Sequence, residues 1–121
     1  MKRVLIAGLA FIMGVSLLVG CGNDSASLED FVEAIRAEYE LFDENTPRFQ
    51  LIGATEGVLF YIGGRLVDGG QKVAIYEFSS VSALNTAFDN FPMMGEQGWV
   101  RNGRFIIETR HAGAIEIFEA Q

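Results

Sequence analysis

The chain is poor in the residues that stabilise or catalyse through covalent and metal chemistry. Cys21 is its single cysteine, so no intramolecular disulfide can form. His111 is its single histidine, too few for the converging ligands a transition metal wants. A Ser-His-Asp triad would have to use His111, and no Gly-x-Ser-x-Gly elbow accompanies it. Basic residues are also scarce. Nine Lys and Arg stand against 16 Asp and Glu, for a formal charge of −7. That balance excludes the basic footprint nucleic-acid binding needs and predicts repulsion from anionic lipid. The pairs Gly63-Gly64 and Gly69-Gly70 lack a following Gly-Lys-Ser/Thr, and a strand rather than a helix comes after them, which argues against a phosphate loop. Glu38, Glu40, Asp43 and Glu44 cluster without the alternating ligands and central Gly of a calcium loop, and read as a solvated helix end. The sequence therefore assigns no metal, no cofactor and no catalytic residue.

What is present begins at the N-terminus. Met1-Lys2-Arg3 is basic, Val4 to Leu18 is apolar apart from Gly8, Gly14 and Ser16, and Leu18-Val19-Gly20-Cys21 closes the segment. This order is that of a secretory signal. The apolar run is shorter than the roughly 20 residues of a bilayer-spanning helix. Polar Gly22-Asn23-Asp24-Ser25 follows in place of a basic stop-transfer cluster. An uncleaved anchor helix is the competing reading.

Leu18-Val19-Gly20-Cys21 resembles the lipobox of bacterial lipoproteins. The resemblance implies cleavage between Gly20 and Cys21 and a diacylglyceryl group on the Cys21 sulfur. It also implies location on the outer face of the cell membrane. Two acyl chains, at about 0.8 kcal/mol per buried methylene, hold a protein there stably where one would not. The expected organisation is a signal at 1–20, a lipidated Cys and tether at 21–27, and one domain at 28–121. Loss of Lys2 and Arg3 with the signal takes the formal charge from −7 to −9. The tether after Cys21 reaches roughly 20 Å when extended, so the domain is expected to stay near the bilayer.

Within the domain, Ser27 and Asp30 form the signature of a helix start. Leu28, Phe31, Val32, Ile35, Tyr39 and Phe42 then recur at helical spacing, which predicts a first helix running to about Asp43-Glu44-Asn45. Phe49–Ala54 and Val58–Ile62 read as one interrupted strand or two short ones, and Lys72–Phe78 as the next. Ser79 and Ser80 open a second helix with Val81, Leu84, Ala87, Phe88 and Phe91 on one stripe, stopped by Pro92. Asn102-Gly103 between Gly98–Arg101 and Arg104–Thr109 predicts a hairpin with a type I′ turn. Ala112–Ala120 reads as a last helix with Ile115 and Phe118 inward, or as an edge strand. The order α-β-β-α-β-β-α predicts an α+β two-layer sandwich: an antiparallel sheet of about four strands with helices on one face.

Ile52-Gly53-Ala54, Gly57, Val73-Ala74-Ile75-Tyr76-Glu77-Phe78 and Asn102-Gly103-Arg104-Phe105 resemble a group of small exported lipoproteins of unknown function, found mainly in Gram-positive bacteria. The resemblance implies the same fold and location and carries over no catalytic residue. The residues themselves add one feature. Val73 and Ile75 alternate with Ala74, Tyr76 and Phe78, and Leu59 and Tyr61 with Val58, Phe60 and Ile62, so both faces of the sheet are apolar. Met93, Met94 and Trp99 add an apolar rim near the end of the second helix. These observations favour a non-enzymatic binding module. Leu59, Tyr61, Tyr76, Phe78, Met93, Met94 and Trp99 are its expected contact residues, and an envelope protein or small apolar ligand its expected partner. The alternative is an envelope hydrolase with two carboxylates converging in a cleft; the other is simply a core completed by these same side chains.

Overall fold

A computed structural model describes residues 26–121. The expected signal, the lipobox-like Leu18-Val19-Gly20-Cys21 and the expected lipidation at Cys21 lie outside the described residues. Helix α1 spans Leu28–Arg36, followed by strand β1 at Leu41–Asn45, β2 at Glu56–Ile62 and β3 at Gln71–Glu77. Helices α2 (Val81–Asn90) and α3 (Met93–Glu96) precede β4 (Val100–Asn102), β5 (Phe105–Thr109) and α4 (Ala112–Glu119). The strands form one antiparallel sheet in the order β1-β2-β3-β5-β4.

The sheet has five strands rather than about four, and its helices lie on both faces rather than one. Strand alternation decides this. Phe60, Ile62, Val73, Ile75, Phe105 and Ile107 point to one face and pack with Phe31, Val32 and Ile35 of α1 and Ala114 and Phe118 of α4. Ala74, Tyr76 and Ile106 point to the other and pack with Leu84 and Ala87 of α2 and Met94 of α3. The apolar second face expected to await a partner is largely covered by the chain itself. Phe31 seals the first core, its ring 4.6 Å from that of Phe105 and 4.9 Å from that of Phe118.

Local chemistry sets the helix starts. Ser27 and Asp30 make the reciprocal capping box, each side chain accepting from the other's backbone N–H. The Ser80 hydroxyl accepts from Ala83 N–H and opens α2. Helix α4 forms instead of an edge strand because His111 Nδ1 accepts the Ala114 N–H at 3.0 Å, and Gly113 lets the Tyr39 hydroxyl lie where a Cβ would stand. Ala114 and Phe118 face inward; Ile115, expected there, is only half-buried.

Three further expectations are corrected. The first helix ends at Arg36, not near residue 44, and Leu41 and Phe42 instead pair with Ile62 and Tyr61. Tyr39 and Phe42 merely keep a helical spacing, while the open edge of β2 offers backbone partners that a longer helix would leave unpaired. Phe49–Ile52 is a 3₁₀ turn rather than a strand, ended by Gly53 at φ 86°. Asn102 pairs with Phe105, so the hairpin turn is Gly103-Arg104. Only Gly103 has positive φ, 62°. That matches a type II′ turn, with Gly at the first central position, and not type I′, which needs positive φ at both.

Coverage of both faces has a measurable consequence. Phe31→Ala on one side is expected to cost about 3–5 kcal/mol and Leu84→Ala on the other about 2–5 kcal/mol in urea unfolding. An effect below about 0.5 kcal/mol for Leu84→Ala, typical of surface positions, would contradict a sealed second core.

Candidate functional site

Helices α2 and α3 do not cover the whole second face. Strand β3 has seven residues and spans roughly 20 Å at about 3.3 Å per residue. Helix α2 has 10 residues and spans roughly 15 Å at about 1.5 Å per residue. Where β3 begins and β5 ends lies a cleft of about 240 Å³. Gln71 and Lys72 of β3, Glu108 and Thr109 of β5, and Arg110 beyond it line one side; Gln97 and Trp99 line the other.

Glu108 organises the cleft's charge. Its Oε2 accepts from Lys72 Nζ at 3.0 Å, and the carboxylate is 22% exposed. Burial first, then the charge of Glu108 and a hydrogen bond donated to it, push the Tyr76 phenol up to about 12. Thr109 Oγ1 donates to Lys72 carbonyl at 2.6 Å and accepts from His111 N–H at 3.1 Å, which holds the end of β5 against β3 and the start of α4. Among the described residues Arg110 forms no ion pair. The Trp99 ring lies parallel to that of Tyr76, with centroids 5.8 Å apart. Its Nε1 is buried and has no hydrogen-bond partner among the described residues.

The seven expected contact residues divide three ways. Phe78 and Met94 are wholly buried and Tyr76 nearly so, so they belong to the second core and do not present a contact surface. Leu59 packs half-buried against the same core. Met93 is exposed but does not line the cleft. Trp99 lines it, and Tyr61, paired with Lys72 in the register, flanks it. Sequence reading missed Lys72, Glu108 and Arg110. Their signal was a polar residue closing each end of an otherwise apolar strand, visible only once the strands are paired.

The acidic cluster has structural work. Glu44 pairs with Arg36 at 3.1 Å, and Asp43, at φ 53°, accepts the Leu66 N–H on its Oδ2. A hydrogen bond with Glu33 raises Glu29, but this pair lies on the exposed face of α1 and outside the cleft lined by Trp99 and Glu108. Among the described residues no three His, Cys, Asp or Glu side chains come together as a metal site, and no helix is long and apolar enough to cross a membrane. Comparison with protein-family models, curated proteins and solved structures finds no match to this chain.

The raised Tyr76 phenol gives a spectroscopic expectation. Neutral Tyr76 is favoured in the folded state, so its contribution to stability is complete below the ordinary value of 10.0 and is lost as pH rises through about 12. Phenolate absorbance should show one of the three tyrosines titrating late. Tyr76→Phe should remove that phase and Glu108→Gln should bring it earlier. A late phase that survives Tyr76→Phe would refute the assignment.

Proposed function

We propose that this chain is an exported, lipid-anchored binding domain of the cell envelope, carried by Cys21 and presenting the Trp99–Lys72–Arg110 cleft away from the bilayer. One observation carries the reading: Ala26, the first described residue, and the cleft lie at opposite ends of the sheet. The Ala26 carbonyl accepts from Arg104 Nη2 at 3.1 Å, and the same guanidinium pairs with Glu77 at 3.0 Å. This is the hairpin end. Lys72 and Thr109 stand at the other end of β3 and β5, roughly 15 Å away at about 3.3 Å per residue. A chain attached just before Ala26 turns the hairpin end toward its anchor and the cleft outward.

Binding is favoured over hydrolysis by the cleft's chemistry. Among the described residues Glu108 is the one carboxylate lining it, and Lys72 already holds it. Acid–base hydrolysis of a glycosidic kind wants two carboxylates facing one substrate. The acidic body, at −9 once Lys2 and Arg3 are removed, suits a protein that stands off both nucleic acid and anionic lipid.

Mass spectrometry of the protein isolated from cells is expected to find Cys21 as an acylated first residue. Cys21→Ser is expected to move the protein from the membrane to the soluble fraction. An intact Met1, or membrane association unchanged in Cys21→Ser, would overturn the proposal.

A further inference from the structure

The cleft's own charge and shape narrow its ligand class, an inference that rests on the cleft being the binding site. Lys72 and Glu108 neutralise each other across 3.0 Å. Arg110, without an ion pair among the described residues, is left as one surplus positive charge in a chain whose total is −7. A monoanion matches that surplus. A dianion such as a phosphate monoester would set its second charge against Glu108. The guanidinium is a planar fork suited to a carboxylate, which it can hold through two parallel N–H···O bonds.

Shape adds the second restriction. Trp99 lies flat on Tyr76 and also lines the cleft, so the opening has one rigid aromatic wall. The volume of about 240 Å³ is below the usual range for drug-sized ligands, roughly 300–1,000 Å³. Gln71 and Gln97 at the rim offer amide donors and acceptors beside the charged centre. We propose that the cleft binds a small monocarboxylate with a flat apolar body, the carboxylate on Arg110 and the body against Trp99.

Trp99 is the single tryptophan, so its fluorescence reports this site alone. The full chain should be titrated with benzoate, with benzamide as the uncharged analogue of similar shape, and with benzylammonium as the cation. Benzoate is expected to change the emission saturably, and the other two are expected to do so weakly. Arg110→Gln should weaken benzoate about tenfold or more, the scale of a lost charge-assisted hydrogen bond. Glu108→Gln should tighten it by removing the opposing charge. Arg48→Gln, an exposed arginine that lines no part of this cleft, should leave it unchanged. Circular dichroism should confirm that each variant is folded. Equal affinity for benzamide, undiminished benzoate binding in Arg110→Gln, or no response to any of the three probes would overturn the carboxylate assignment. Those results would leave the lipid anchor untouched, because that is read from Cys21 by mass spectrometry.

Discussion

Burial of strand β3 on both sides is the constraint on which the rest of the structure depends. Val73, Ala74 and Ile75 are wholly buried, and Tyr76 is 8% exposed. Alternating side chains of one strand thus enter two separate cores. An antiparallel sheet with one wet face would alternate apolar with polar residues. This one does not, so it requires a layer of helix on each side. Helices α1 and α4 supply one layer, and α2 with α3 the other. The central position of β3, with β2 on one edge and β5 on the other, follows from the same requirement, because a strand buried on both faces is poorly suited to an exposed edge.

The hairpin between β4 and β5 ties the sheet to the α1–α4 layer. Asn102 Nδ2 donates to the Phe118 carbonyl at 2.8 Å and to that of Gln121 at 3.3 Å, satisfying orphan acceptors where α4 ends. Arg104 reaches the other way, to Glu77 at the end of β3 and to Ala26 before α1, while its guanidinium lies 4.7 Å from the Phe105 ring centroid. With 21% and 19% of their side chains exposed, Arg104 and Glu77 are partly shielded from solvent. Such a pair defines position more than it adds stability. Its effect is to set where Ala26 enters the domain, at the hairpin end of the sheet.

Opposite that entry, incomplete helix cover leaves a cleft. Its polarity is a direct result of strand ends. Apolar side chains are needed only under the helices, so where α2 and α3 stop, β3 and β5 become free to carry Lys72, Glu108 and Arg110. The aromatic wall has the reverse origin. Tyr76 is a core residue, and Trp99 extends that core outward by stacking on it. The binding reading therefore unites a piece of exposed core with a piece of charged strand end, neither of which would be selective alone.

Local features were legible in the sequence alone: the Ser27 and Ser80 caps, the hairpin of β4 and β5 and the alternation of β3. Each depends on residues within a few positions of one another, and periodicity or side-chain chemistry suffices to read them. The boundary between α1 and β1 was not legible in this way. Tyr39 and Phe42 satisfy a helical period, and only the pairing of Leu41 and Phe42 with β2, some 20 residues onward, turns that stretch into a strand. Nor was it legible that Phe78 and Met94 are interior while Lys72 and Arg110 border a cleft. Alternation says that two residues lie on one face, but not whether a helix covers that face at their height. Tertiary packing decides that, by setting Leu84, Ala87 and Met94 over Ala74, Tyr76 and Ile106 while Lys72, Glu108 and Arg110 line the cleft.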